Sequence, residues 1–182
     1  MNAMKLTRPR APKSWAAMDR VGKFPAPYIA TRLVDGTIEL KTIDPRRITE
    51  VYERDLCHLC GEVLNEPPSV IASLPQLSVG VSVEPQGHLR CLTYATCICP
   101  HLVRAGPSLI VTCRFATGAR RNLTALVNNY LTVFGEVTHL AFGDRGRIVW
   151  QREVQEQDET DYGQLAREAT MELEVLKRAI LK

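Results

Sequence analysis

The stretches CHLCG (57–61) and HLRCLTYATCICPHL (88–102) decide how this chain is read. Cys57 and Cys60 have the Cys-x-x-Cys spacing, and Gly61 lets the backbone turn so that two thiolates can face one ion, the geometry of a zinc knuckle. His88 and Cys91 stand at i and i+3 at the expected start of a helix, where one face presents both side chains. Together Cys57, Cys60, His88 and Cys91 form a Cys₃His set for a structural Zn²⁺. The fourth position has alternatives, since Cys99 or His101 could replace His88, or form an additional site with Cys97. On a straight helix Cys99 lies about 12 Å along the axis from Cys91, so it reads as a buried thiol before a ligand. Pro100 then ends or kinks the helix. A thioredoxin-like role for the Cys-x-x-Cys pair is disfavoured, because that motif wants a strand before it and here a helix is expected.

Working outward, residues 62–87 contain VLNEPPSVIASL and LSVGVSVEP, and the alternation of Val79, Val81 and Val83 predicts a hairpin or irregular β segment. Knuckle, β segment and ligand-bearing helix, in that order, make a treble-clef-like module over about residues 44–105. Before it, YIATRLVDGTIELKTI (28–43) predicts two antiparallel strands around Asp35-Gly36. DPRRITEVYERDLC offers Asp44 as N-cap and Pro45 at the first helical position, with Ile48, Val51, Tyr52 and Leu56 on one face. Arg46, Arg47, Glu50, Glu53 and Arg54 fall on the other.

Beyond the module, SLIVTCRF (108–115) reads as a buried strand with Cys113 as a core residue. ARRNLTALVNNYLTVFG predicts a helix with Leu123, Leu126, Val127, Tyr130 and Phe134 on one face and Gly135 as its stop. Residues 137–154 predict a hairpin around Gly-Asp-Arg-Gly, and DYGQLAREATMELEVLKRAILK a long amphipathic helix with Leu165, Ala169, Leu173, Leu176 and Ile180 on one stripe. The fold class is therefore α+β: a treble-clef-like zinc module embedded in a small single domain with β-hairpins and a C-terminal helix.

The chain has 182 residues, 45% apolar and 24% charged, and a net charge of +3. Residues 1–25 carry Lys5, Arg8, Arg10, Lys13, Arg20 and Lys23 against Asp19 alone, and the remainder is slightly acidic. With Pro9, Pro12 and Pro25 this reads as a basic extended N-terminal arm (1–25) ahead of one α+β zinc-binding domain (26–182). No run approaches the roughly 20 apolar residues of a membrane span, and the N-terminus lacks the apolar core of a secretory signal. A cytoplasmic location is expected, and in a reducing compartment six cysteines point to ligands or buried thiols before disulfides.

The stretches PAPYIATRLVDGTIELKTIDPRRITEVYERDLCHLCGEVL and HLRCLTYATCICPHL resemble a family of small uncharacterised proteins of actinobacteria and their phages. The resemblance covers about residues 25–105: a Pro-x-Pro-aromatic opening, an Asp-Pro helix leading into Cys-x-x-Cys-Gly, and a His-x-x-Cys block ending in Cys-Pro-His-Leu. It implies that Cys57, Cys60, His88, Cys91, Cys99 and Pro100 are pattern residues and that Cys97 is not. It implies a phage or actinobacterial source, a bacterial cytoplasm, and no enzyme activity.

The residues themselves also favour a non-catalytic protein. An HNH nuclease needs a general-base histidine between knuckle and helix, and residues 61–87 contain none. His58 lies inside the knuckle and reads as a solvent-facing spacer; His139 reads as a surface strand histidine. No phosphate loop, nucleophile elbow, deaminase motif or paired-carboxylate constellation appears. The expected function is that of a zinc-stabilised binding or regulatory protein contacting nucleic acid or a nucleoprotein machine through the arm, aided by Arg46, Arg47, Arg54, Arg120 and Arg121. The alternative is an accessory factor that binds a host or virion protein through the arm or the C-terminal helix; a degenerate HNH-type nuclease ranks behind both.

Overall fold

A computed structural model describes residues 9–114, 132–134, 136–154 and 161–180. At its centre lies a four-stranded antiparallel sheet, built from β5 (Ser69–Ala72), β7 (Ser108–Arg114), β9 (Glu136–Asp144) and β10 (Arg147–Glu153) in the spatial order β10-β9-β7-β5. β7 is buried along most of its length, which is why its sequence is a continuous apolar run without alternation. Val70, Ala72, Leu109, Val111, Leu140 and Phe142 point to one face of the sheet and pack against α2 (Leu74–Ser78) and α5 (Tyr162–Ile180). Ile110 and Ala141 point to the other, where they meet α3 (Leu89–Ile98) and the cysteine cluster. The molecule is thus three layers, with the sheet as the middle one.

The β9–β10 hairpin turns at Arg145 and Gly146, both at positive φ (47° and 79°), the two-residue geometry that suits the twist of the flanking strands. α5 buries Leu165, Ala166 and Ala169 against the sheet, with Leu173 and Leu176 partly covered. No helix among the described residues is long and apolar enough to cross a membrane.

On the cluster side, β3 (Ala30–Arg32) and β4 (Ile38–Ile43) form the expected hairpin, followed by α1 (Pro45–Glu53) with Asp44 accepting the Arg46 N–H at 2.9 Å. Ile48, Val51 and Tyr52 of α1 close a small core with Ile29 and Leu56. The Tyr52 hydroxyl donates to Thr132 Oγ1 at 2.9 Å, and Thr132 in turn donates to the Glu84 carbonyl, tying α1 to β8 (Thr132–Val133).

Four expectations are corrected. Residues 79–83 are not an alternating strand: Ser73 and Gln76 form a capping box that starts α2 at Leu74, and positive φ at Gly80 breaks the alternation. Only β6 (Val81–Ser82) remains, leaving Val79 and Val83 exposed. Nor is there a hairpin between knuckle and α3, since β5 pairs with β7 and β6 with β8; extended backbone seeks whichever edge buries its apolar face, and the central sheet offers more. Phe134, assigned to a helical face, is buried just after β8; Leu123, Leu126, Val127 and Tyr130 of that expected helix lie outside the described residues.

The fourth correction concerns the N-terminal arm. From Pro12 onward it is folded: a 3₁₀ turn (Lys13–Ala17) places Trp15 in the interior, 3% exposed, and β1 (Arg20–Val21) pairs with β2 (Phe24–Pro25). Burial of one indole, worth several methylenes of transfer free energy, outweighs the entropy of a free arm. A salt bridge of 2.8 Å from Arg32 to Asp19 pins the segment to β3.

Candidate metal centre

The knuckle is a miniature hairpin. The Cys57 N–H donates to the Glu62 carbonyl and Gly61 N–H to the Cys57 carbonyl, each at 2.8 Å, while Leu56 and Val63 form a β-bridge. Gly61 has φ +74° and lies against the Tyr28 ring, where a Cβ would stand 2.5 Å from the ring carbon. Both facts exclude a side chain there. The knuckle's N–H groups at Cys60 and Glu62 are directed at the Cys57 and Cys60 sulfurs.

The other two donors come from the first turn of α3. His88 is its N-cap and Cys91 lies three residues on, so the helix start itself sets their spacing. Gly87 precedes them, and a Cβ on it would meet Cys57 Sγ at 3.4 Å; its backbone lies against the knuckle. The ligand atoms of Cys57, Cys60, His88 and Cys91 all lie within 4.8 Å of one another. His88 Nδ1 is 3.5 Å from Cys60 Sγ and 3.8 Å from Cys91 Sγ. A tetrahedral ion with S at about 2.3 Å and N at about 2.0–2.1 Å places its donors roughly 3.5–3.8 Å apart. The two separations fall at those values.

The surroundings fit as well. His88 Nε2 lies 3.2 Å from the Val63 carbonyl, which can only accept, so Nε2 carries the hydrogen and Nδ1 presents its lone pair to the thiols. The Trp15 indole N–H donates to Cys91 Sγ at 3.1 Å. Among the thiols, hydrogen bonds from Cys57 and then Cys91 hold Cys60 well below the ordinary range. Cys91 is pushed far up by Cys57, then Cys60, and by burial, and Cys57 is raised chiefly by Cys60. A divalent cation binds thiolates, so its capture by such a cluster would release protons. The chain thus holds a Cys₃His cluster that could bind a metal ion.

The alternative donors do not join it. Cys99 is the C-cap of α3 and N-cap of α4 (Pro100–Ala105), and His101 is exposed on α4. Cys97 donates to the Tyr94 carbonyl at 3.1 Å, and among the described residues no second cluster of three such donors occurs. Of the basic residues, Lys5 and Arg8 lie outside the described residues; Arg10, Lys13, Arg20 and Lys23 are exposed. Arg47 stacks over the Tyr28 ring at 4.8 Å, and Arg54 pairs with Glu50 at 2.6 Å, so both have protein partners already. Arg46 is held only by a marginal 3.9 Å contact to Asp44, while Arg120 and Arg121 lie outside the described residues.

Two participants escape the sequence reading. Trp15 sits within a Pro-rich basic run, its one signal being the apolar Trp-Ala-Ala-Met patch. His58 is not a solvent-facing spacer: it is 7% exposed, and burial pulls its imidazole down to about 4, keeping the ring neutral. Comparison of the chain with protein-family models, with curated proteins and with solved structures gave no match.

Proposed function

We propose that this chain is a non-catalytic binding protein whose fold is organised by one zinc ion on Cys57, Cys60, Cys91 and His88. The observation that carries this is the donor set itself, three thiols and an imidazole whose ligand atoms lie within 4.8 Å of one another. Thiolate-rich tetrahedral sites favour Zn²⁺, and four protein donors fill its sphere, leaving no position for water or substrate. Knuckle and helix start contribute two ligands each, as in a treble clef, although the strands between them serve the central sheet. Elemental analysis of protein purified without chelator should give one zinc per chain. Cys57→Ser should abolish it and lower the thermal midpoint by roughly 10–20 °C, as expected for the loss of about 5 kcal/mol. Full stability without metal would remove the proposal.

The target in this reading is nucleic acid or a nucleoprotein machine. Arg10, Lys13, Arg20 and Lys23 are exposed on the N-terminal segment beside the metal centre, where they can meet phosphates. Anisotropy of a labelled duplex should show binding that weakens steeply with salt. Changing Lys13, Arg20 and Lys23 to Ala should reduce the log–log salt slope by about 3. Absence of binding at 50 mM salt would favour the second reading, an accessory factor for a host or virion protein. That reading draws on Leu33, Val34, Leu40 and Ile43, which leave the β3–β4 hairpin unusually apolar for an exposed surface.

A further inference from the structure

His58 follows the first cysteine of the knuckle, and its side chain turns inward because two bonds from one residue meet the same acceptor. Its backbone N–H and its ring Nδ1 both reach the Gln86 carbonyl, at 3.0 and 2.8 Å. A carbonyl only accepts, so Nδ1 carries the hydrogen and Nε2 is left as a lone-pair acceptor. No described residue donates to Nε2. The ring lines a cavity of about 580 Å³ between the N-terminal segment, β4 and the α3–α4 helices. That volume is in the range of small-ligand sites.

The cavity's walls are mainly apolar, with Leu92, Ala95 and Ile98 of α3 on one side and Leu59 and Ile71 behind, while Lys41, His101 and Arg104 add polar groups to the lining. Nε2 is the acceptor that His58 can offer to an occupant of this space. Shape and polarity together define the occupant.

We propose that this cavity binds a small, mainly apolar molecule that donates one hydrogen bond to His58 Nε2. The apolar body fills the space between α3 and β4, and the single donor fixes its orientation. The knuckle that carries Cys57 and Cys60 also carries His58 and Leu59, which line the cavity. The zinc assignment and the cavity are nevertheless separable, since metal content is measured independently of ligand.

The test is a ligand-observed NMR titration of the metal-loaded full chain with 1-naphthol, an apolar bicycle with one O–H, against 1-methoxynaphthalene, the same ring system without the donor. Saturable one-to-one binding is expected, at least tenfold tighter for the naphthol. His58→Phe should abolish that preference. Leu40→Trp, at the half-exposed rim on β4, should weaken both ligands about tenfold while leaving zinc content and thermal midpoint unchanged. Failure of 1-naphthol to saturate, equal affinity of the two ligands in the wild type, or binding indifferent to Leu40→Trp would each overturn the proposal. Should His58→Phe lose its metal, the wild-type preference and the Leu40→Trp result decide between them.

Discussion

Cys91 does more than complete a ligand set. It is fully buried, it receives the Trp15 indole N–H from a residue 76 positions earlier, and it faces the His88 lone pair. A zinc on three thiolates and one neutral imidazole leaves the centre with one net negative charge, and an N–H aimed at a thiolate stabilises that charge where water cannot. Trp15→Phe keeps an aromatic side chain but removes the N–H donor together with part of the buried indole. It should weaken zinc affinity about tenfold in competition with a chromophoric chelator, with little loss of secondary structure by circular dichroism; unchanged affinity would reduce the contact to packing. At this scale the ligands were legible because their chemistry fixes both residue type and spacing. His58 was not, because its direction is set by a carbonyl 28 residues away that no local pattern announces.

At the scale of elements, the 3₁₀ turn Lys13–Ala17 acts as a cover over the first turns of α3. Trp15 meets Tyr94 edge-on at 5.0 Å, and Ser14 lies near Cys91 Sγ. A chain beginning at Ala11 should therefore release zinc to a chelator at the wild-type rate, and one beginning at Met18 at least tenfold faster. Equal rates for both would show that the turn does not guard the centre. The helices and hairpins of this layer could be anticipated from caps and turn residues, as Asp44-Pro45 and Asp35-Gly36 illustrate. Their partners could not: Ser69–Ala72 lies in a stretch read only as a hairpin or irregular β segment, and its pairing with Leu109–Thr112 is a long-range choice made by the core. The same limit explains why a basic, Pro-rich segment was read as an arm. Charge and proline describe its solvent side and say nothing of the indole beneath.

Across the whole molecule, one acid stands out, Glu84, an exposed residue whose carboxyl is nevertheless turned against the protein. Glu84 is shielded enough that burial raises its carboxyl, opposed only in part by His101. A raised folded-state value means the folded protein holds that proton more tightly than the unfolded chain, so the group stabilises at low pH and the benefit is lost as pH rises through the folded value. Glu84→Gln should accordingly raise the thermal midpoint by a few degrees at pH 8 and leave it unchanged near pH 4, and the reverse order would contradict the burial argument. The three layers differ in another respect, the order in which the chain supplies them. All four metal donors lie between residues 57 and 91, whereas the central strand starts at Ser108 and the sheet is complete only at Glu153. At about 5–20 residues per second, a ribosome delivers Cys91 roughly 3–12 s before the last strand. An ion captured in that interval would close the knuckle onto α3 before the central sheet exists to hold them, letting the cation join residues 57 and 91 of a growing polypeptide whose central-sheet pairings all come later.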